Sequence, residues 1–359
     1  MANAFSQNEN TEVILGLPKQ NREIYENALL KTFGFEITEF KTDYYSQWFK
    51  DQRLNRFLLF MYVSKLIRKY KPDVVYTRDV VILVSSVFNK NVSFCYESHN
   101  SLLHNKSKIA DRVLKKALLW FSKRKNIIKI IPISENLANF WIKSGLVGNK
   151  MLPLHDGFSL KLFNKEIGIT EARKQLDFPE DKKIAIYLGS LYEDRETDTI
   201  LKLAQYFKDI LFKIIGGPMD AVQIFEKKCN SQSIKNIEFQ GMIDHSEIAR
   251  YLYSADILLA LWSSKVPTIN YCSPLKLFEY MASGRIIVAH AFPTIKEVLA
   301  HGENAILVEP ESFDDLVKKF GEAVDIEYPS VMAENARKLA FDKYSWNRRA
   351  KTILENIQQ

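Results

Sequence analysis

Short runs of β-branched and aromatic residues alternate with longer stretches of helical hydrophobic spacing along the whole chain. The short runs predict strands, and the longer stretches, such as residues 21–33 and 54–70, predict helices. Regular alternation of this kind is typical of parallel sheets that are covered by helices. The predicted strands lie near residues 12–16, 35–40, 73–77, 92–97, 127–134, 151–154, 184–189, 211–216, 236–240, 257–260, 286–290 and 305–308.

The alternation is interrupted once, over the polar segment from Leu162 to Lys183, and then starts again. A polar segment that contains Gly168 and Pro179 is typical of a domain boundary. We therefore expect two Rossmann-like domains, over residues 1–163 and 164–340, that face each other across a cleft. A last helix, over residues 341–359, is expected to pack back on the N-terminal domain.

Ligands of such sheets bind beyond the carboxyl ends of the strands, so functional residues are sought there. The first strand is followed by Gly16-Leu17-Pro18-Lys19 and not by a GxGxxG turn, and the chain has no GxxxxGK[ST] motif. Nicotinamide and P-loop chemistry are therefore disfavoured.

The composition is that of an ordinary folded protein, with 47% hydrophobic and 26% charged residues in a chain of 359. Such a length exceeds what one core usually serves, which agrees with two domains. Three widely spaced cysteines form no CxxC pair and indicate a reducing compartment. The first residues are polar, and no apolar run is long enough to cross a membrane. We expect a cytoplasmic protein.

The net charge of +7 is concentrated in the segment 106–129, where nine basic residues face Asp111 alone. They are Lys106, Lys108, Arg112, Lys115, Lys116, Lys123, Arg124, Lys125 and Lys129. One interpretation is an amphipathic helix on an anionic membrane surface, because Trp120 and Phe121 lie in the same segment. The other is a solvated basic face on a core helix. Nucleic acid is not an expected partner.

The segment from Ser273 to Gly284 predicts a short helix with a binding function. Ser273 is a suitable N-cap, Pro274 suits the first helical position, and Gly284 suits the stop. Amides at such a helix start can hold a phosphate. Lys276 in the first turn opposes the helix dipole unless an anion lies beside it, and Glu279 follows one turn later.

This segment and several others resemble the retaining glycosyltransferases of family 4, also called group 1, over most of the chain. The matching stretches are Tyr187-Leu188-Gly189-Ser190-Leu191, Ile215-Gly216-Gly217-Pro218, Phe239-Gln240-Gly241, His155-Asp156-Gly157 and Gly302-Glu303-Asn304. The resemblance implies a GT-B fold, a nucleotide-sugar donor and retention of anomeric configuration. It also implies a glycan or lipid-linked acceptor in cell-surface polysaccharide or glycolipid synthesis. The chain has no DxD motif, so no metal or other cofactor is expected.

By the same resemblance, Glu279 matches the second glutamate of the family's E-x7-E motif, which binds the ribose hydroxyls of the nucleotide. The other residues implied to bind the nucleotide sugar are Gly189, Ser190, Gly216, Gly241, Met242, Tyr271, Ser273, Pro274 and Leu275.

Two positions depart from the family pattern. Tyr271 replaces the first glutamate of the motif, and an aromatic hydroxyl there could still stack or hydrogen-bond on a sugar. Ser190 replaces one of two basic residues that neutralise the diphosphate, of which the second matches Arg195. Lys276 is expected to supply the missing charge.

His99, Arg195 and Lys276 are the predicted catalytic residues. His99 follows a predicted strand, and the resemblance makes it a contact of the donor sugar. Glu97 is a further candidate or the cap of the next helix, and Arg78 is a candidate or an ordinary ion-pair partner. Two rival functions remain open: a catalytically silent GT-B partner subunit and a sugar-nucleotide 2-epimerase.

Overall fold

Two mainly aliphatic runs, Ile257–Ala260 and Ile286–His290, are buried along their whole length. Strands buried on both faces are typical of parallel sheets between layers of helices. The computed structural model describes residues 1–18, 40–45, 52–101, 107–191 and 196–357, with the side chains of its first long helix from Leu59 onward. These residues form an α/β structure in which every sheet is parallel.

The N-terminal half contains five described strands in two sheets. The strands are β1 (Ile14–Pro18), β2 (Lys41–Tyr45), β3 (Val74–Thr77), β4 (Ser93–Ser98) and β5 (Ile127–Pro132). Strands β3, β4 and β5 form one sheet in that order, and β1 pairs with β2. The described helices of this half are α1 (Ala2–Ser6), α2 (Gln52–Tyr70), α3 (Ser85–Phe88), α4 (Lys108–Ser122) and α5 (Glu135–Lys143).

The C-terminal half contains one six-stranded sheet. Its strands are β6 (Ile184–Leu188), β7 (Leu211–Ile215), β8 (Ile237–Gly241), β9 (Ile257–Ala260), β10 (Ile286–His290) and β11 (Ile306–Val308). Their order is β11-β10-β9-β6-β7-β8, which is the order of a dinucleotide-binding Rossmann sheet. Successive strands are added on one side of β6 up to β8 and on its other side from β9 onward, so the carboxyl ends of β6 and β9 flank the crevice where such sheets bind ligands.

Helices cover both faces of this sheet. They are α6 (Leu160–Phe163), α7 (Ile169–Leu176), α8 (Thr197–Tyr206), α9 (Met219–Ser231), α10 (Ile248–Tyr253), α11 (Leu275–Ser283), α12 (Pro293–Lys296), α13 (Phe313–Val324) and α14 (Val331–Lys343). Alternate residues of β6 enter two separate cores. Ile186 packs in the core that contains α11 and α14, and Tyr187 packs in the core that contains α8, α9 and α13.

The chain crosses between the halves at two adjacent places. Phe158 donates its amide to the Tyr344 carbonyl at 2.9 Å, and the Trp346 amide returns a bond to the Phe158 carbonyl at 3.1 Å. Gly157 must be glycine here, because a Cβ would lie 2.4 Å from the Tyr344 carbonyl oxygen. The last helix, α15 (Trp346–Ile357), then packs on α1, β4 and β5.

The predicted strands and helices that fall within the described residues overlap the observed elements, with two exceptions. Strand β2 (Lys41–Tyr45) lies after the predicted strand 35–40 and does not overlap it. Residues 151–154 form an isolated bridge between Met151 and Ile130 and not a strand. The amides of Leu152 and Leu154 still donate to the Ile130 and Pro132 carbonyls, each at 2.9 Å, but Pro132 has no N–H to donate back, so the ladder does not continue. The predicted helix 21–33 and residues 35–39 of a predicted strand lie outside the described residues.

Candidate active site

Three glycines lie together at the carboxyl ends of β6, β7 and β8. The Gly216 amide donates to the Gly241 carbonyl at 2.6 Å, and the Gly189 amide donates to the Ile215 carbonyl at 2.9 Å. Gly216 has φ +114°, and a Cβ on it would lie 2.4 Å from the Gly189 carbonyl oxygen. Only glycine fits such a close approach, so three predicted donor-binding positions form a backbone surface without side chains.

Helix α11 begins at the same edge of the sheet, but one residue later than predicted. Pro274, with φ −72° and ψ 117°, occupies the N-cap position, and no side chain caps the helix. The prediction that Ser273 is the N-cap is therefore wrong. Its hydroxyl accepts a bond from the Asp156 amide at 2.8 Å and lies 3.2 Å from His155 Nδ1. The predicted stop at Gly284 is confirmed by its left-handed conformation, with φ 63°.

Lys276 lies at the switch point of the sheet. Its Nζ is 4.3 Å from the ring centre of Tyr187, near the end of β6. It is also 4.7 Å from the ring centre of Trp262, which lies just after β9. The faces of two aromatic rings attract an ammonium group. The two rings thus help to hold the Lys276 ammonium group in the first turn of α11. The sequence analysis expected an anion beside this lysine and did not predict the rings.

Glu279 is buried in α11, and its Oε1 lies 3.0 Å from His245 Nε2. His245 follows the end of β8, in the short 3₁₀ turn His245–Glu247. Sequence reasoning missed this histidine. The signal that could have found it is the one that selected His99, namely a histidine shortly after the carboxyl end of a strand.

His290 is the buried last residue of β10. Its Nδ1 lies 2.7 Å from the Trp262 carbonyl oxygen and 3.2 Å from the Trp262 amide nitrogen. Burial lowers the pKa of His290 below its usual value. A neutral imidazole thereby fixes the backbone of the tryptophan that packs on Lys276.

The remaining predicted donor-site residues have different surroundings. The Tyr271 ring lies 5.4 Å from that of Phe140 in α5, and its carbonyl accepts from the Ser134 hydroxyl at 2.9 Å. Tyr271 therefore contacts the N-terminal half. The side chains of Met242 and Leu275 are 77% and 50% exposed and are open to a ligand. The other two predicted positions, half-buried at the same edge, are Ser190 and Pro274. Arg195 lies outside the described residues.

A buried ionic cluster lies at the end of β4 in the N-terminal half. The Glu97 carboxylate is fully buried, lies 2.7 Å from Arg78, accepts from Arg349 at 2.9 Å and pairs with His99 Nε2. Burial raises the pKa of Glu97, but the His99 hydrogen bond and the Arg349 charge outweigh it, so the pKa lies below its usual value. Glu97 is therefore an ion-pair residue and not a helix cap.

Asp156 also belongs to this cluster. It lies directly before Gly157 and Phe158, in the segment where the chain first crosses between the halves, called the crossing segment below. Ligand atoms of Glu97, His99 and Asp156 lie within 4.8 Å of one another, a grouping that could hold a metal ion. The sequence predicted no such grouping, because Asp156 is far from the other two along the chain. The guanidinium groups of Arg78 and Arg349 already supply positive charge here. A cation would have to compete with both of them.

Glu297 joins the two halves of the chain. Its carboxylate accepts from the Glu135 and Asn136 amides, each at 2.8 Å, and so caps helix α5 of the other half. His155 Nε2 lies 2.8 Å from the same carboxylate. Burial raises the pKa of Glu297, but bonds from His155 and these two amides lower it below its usual value. The N-terminal and C-terminal halves therefore share a polar junction at Glu297.

Comparison with known proteins identifies the C-terminal half. Residues 168–339 match the family described as glycosyl transferases group 1. This match covers the six-stranded sheet and most of its helices, a little less than half of the chain. In the part of the chain that the structure describes, no helix combines the length and apolar character that a membrane crossing requires.

Two curated relatives are glycosyltransferases by name. The Escherichia coli colanic acid biosynthesis glycosyl transferase WcaI is 23% identical over 61% of this chain and 54% of its own length. The lipopolysaccharide 1,2-N-acetylglucosaminetransferase of Salmonella typhimurium is 26% identical over 65% of this chain and 62% of its own length. The chain thus matches little more than half of the length of these relatives.

The overall fold is similar to that of the Anabaena protein HepE, solved in complex with UDP. The TM-score is 0.72 at 15% identity, over 96% of this chain and 91% of HepE. HepE has also been solved with UDP-glucose. The predicted GT-B fold, with its parallel α/β sheets, is confirmed.

Proposed function

We propose that the protein transfers a sugar from a nucleotide diphosphate donor to a glycan or lipid-linked acceptor, with retention of configuration. One observation carries the proposal. The ends of β6, β7 and β8, the residues just after β9 and the first turn of α11 meet at one edge of the six-stranded sheet, at the switch point where such sheets bind nucleotides. The names of the relatives, which concern colanic acid and lipopolysaccharide, support a role in cell-surface polysaccharide or glycolipid synthesis.

The nucleotide would lie on the C-terminal half. Glu279 would accept bonds from the two ribose hydroxyls, and His245, which lies 3.0 Å from it, would orient the carboxylate. The backbone surface of Gly189, Gly216 and Gly241 would allow the diphosphate a close approach. UDP and UDP-glucose, the ligands of HepE, make a nucleoside diphosphate the expected core of the donor.

The reaction would break the bond between the sugar's anomeric carbon and the diphosphate oxygen. The acceptor oxygen would attack from the same face, and the departing diphosphate would take the acceptor's proton, so that no protein base is needed. Lys276 and Arg195 would stabilise the negative charge that develops on the diphosphate. We expect this chemistry to need no metal, so turnover should survive chelation by EDTA.

The acceptor would approach from the N-terminal half. His99 is one-third exposed while its partner Glu97 is fully buried, so the histidine is the member of the pair that can meet a sugar. The buried carboxylate and Arg349 would hold the imidazole in place. Tyr271 lies at the junction with this half, beside Phe140.

Titration calorimetry with UDP, GDP and ADP tests the nucleotide site. We expect Glu279→Ala to weaken binding of the preferred nucleotide by about 1.5 to 3 kcal/mol, the range for lost hydrogen bonds to a charged group. Glu322→Ala, an exposed carboxylate on α13, is the matched control and should bind like the parent.

Two results would change the assignment. Equal affinity of Glu279→Ala and the parent would remove Glu279 from the site. Nucleotide binding without sugar transfer to any acceptor would favour a catalytically silent partner subunit. The reason to test this alternative is that Tyr271 and Ser190 stand where the family has a glutamate and a basic residue.

A further inference from the structure

Helix α4 carries a line of apolar side chains that are more than half exposed. Ile109, Val113 and Trp120 are 75%, 60% and 54% exposed. They are four and seven residues apart, so they lie on one face of the helix. The opposite face is anchored, because Leu118 and Phe121 are buried in the core of the N-terminal half.

A basic line runs beside the apolar one. Lys108, Arg112, Lys116 and Lys123 are all exposed. At about 100° per residue they occupy the strip next to Ile109, Val113 and Trp120. The exposed surface of α4 is thus apolar along one strip and positively charged along the next.

A fourth apolar side chain extends this surface at its C-terminal end. The Arg124 guanidinium lies 5.1 Å from the Trp120 ring centre and donates to the Ser86 carbonyl at 3.2 Å. Phe88, two residues beyond Ser86, is 71% exposed. Arg124 therefore links α3 to α4 and is a structural member of the basic segment.

We propose that this surface, formed by Phe88, Ile109, Val113, Trp120 and the basic strip, docks on an anionic lipid bilayer. Apolar and aromatic side chains would enter the boundary of the headgroups, and the basic strip would lie on lipid phosphates. A second copy of the chain is a poorer occupant, because a two-fold interface would bring the basic strips of both copies close together.

The inference names the acceptor class and in that respect rests on the proposed function. Helix α4 begins at Lys108, nine residues after His99, so the chain between them spans at most about 30 Å. Docking through α4 would bring the bilayer to the acceptor side of the cleft. The acceptor would then be lipid-linked, presented from the membrane.

Vesicle flotation tests the proposal. Probes are vesicles of three parts phosphatidylcholine to one part phosphatidylglycerol, and vesicles of phosphatidylcholine alone. We expect the parent to float with the anionic vesicles and to be released by raised salt. One variant combines Ile109→Ser, Val113→Ser and Trp120→Ser, and a second combines Lys108→Gln, Arg112→Gln, Lys116→Gln and Lys123→Gln. Each should bind at least about tenfold more weakly.

Matched controls separate this surface from general effects of charge and hydrophobicity. Lys227→Gln, Lys235→Gln, Lys318→Gln and Lys338→Gln remove four exposed charges from the other half. Ile224→Ser with Val331→Ser removes exposed apolar side chains there. Both controls should float within about twofold of the parent.

Several outcomes would overturn the proposal. They are no flotation of the parent, equal flotation with neutral vesicles, unchanged flotation of the serine variant, and concentration-dependent dimers that this variant abolishes. Melting temperatures check that each variant folds. Nucleotide affinity, measured on the same samples, reports on the proposed function separately, because none of these residues lies at the nucleotide site.

Discussion

Single buried side chains decide much of the electrostatics of the cleft. Asp156 is only 7% exposed, and its Oδ1 has no hydrogen-bond partner within the described ranges. Burial raises the pKa of this carboxyl, and the charge of Arg349 offsets the effect only in part. A buried carboxylate without full compensation destabilises the folded state at neutral pH.

The sign of this effect can be measured. The folded protein holds the Asp156 proton more tightly than the unfolded chain, so this contribution to stability is present below pH 3.8 and is lost as the pH rises through the raised pKa. We expect Asp156→Asn to raise the melting temperature at about pH 7.5, and the difference to shrink near about pH 4. Calorimetry at both pH values checks this. Asp209→Asn, an exposed control, should change neither value.

Lys276 is the side chain on which the proposed stabilisation of the diphosphate depends most. Negative charge on the leaving group is greatest in the transition state, so Lys276→Ala should lower kcat by about 10²-fold while weakening donor binding less. Arg195→Ala should have a similar effect. The decrease in kcat of the double variant should be smaller than the product of the decreases in the two single variants. Steady-state kinetics of the three variants decide this. Full turnover by Lys276→Ala would leave the lysine as a structural partner of Tyr187 and Trp262.

Strand ends, more than strand interiors, shape the nucleotide site. A Cβ on Gly216 would meet the backbone carbonyl of Gly189, which cannot move aside as a side chain would. The strand end must shift if this position is not glycine. The bond from the Gly216 amide to Gly241 would be lost with it.

We therefore expect Gly216→Ala to destabilise the fold by about 1 to 3 kcal/mol and to weaken nucleotide binding as well. Gly148→Ala is the matched control, since nothing lies within 4 Å of its added Cβ. Urea unfolding and calorimetry measure the two effects. If Gly216→Ala binds nucleotide like the parent, the close contact of the three strand ends has no role in the site.

The two halves of the chain are coupled through Glu297 and His155. Because the folded-state pKa of Glu297 lies below 4.5, its contribution to stability is present above that pH and is lost as the pH falls through the lowered value. The carboxylate caps α5, so its loss acts on the other half of the molecule.

A double-mutant cycle with Glu297→Gln and His155→Gln measures this coupling. We expect a coupling free energy of about 0.5 to 3 kcal/mol in urea unfolding at neutral pH. The coupling should vanish in acid, where the carboxylate is protonated. Additive effects at neutral pH would show that the two side chains do not stabilise each other across the junction.

Sequence alone determined the alternation of strands and helices, the positions of most strands and the stop of α11 at Gly284. These features depend on periodicity and on backbone preferences, which act over a few neighbouring residues. The motif spacing also placed Gly189 and Gly216 at strand ends, where parallel sheets bind ligands, and Glu279 one turn beyond Lys276 in α11.

Only the tertiary structure decided which side chains meet. Asp156 joins Glu97 and His99, His245 pairs with Glu279, and the hydroxyl of Ser273 bonds the crossing segment and does not cap its helix. The contact between Ser273 and Asp156 spans 117 residues, and the bond from Arg349 to Glu97 spans 252. Packing of the two halves creates them, and no local pattern in the chain records which polar groups burial will bring together.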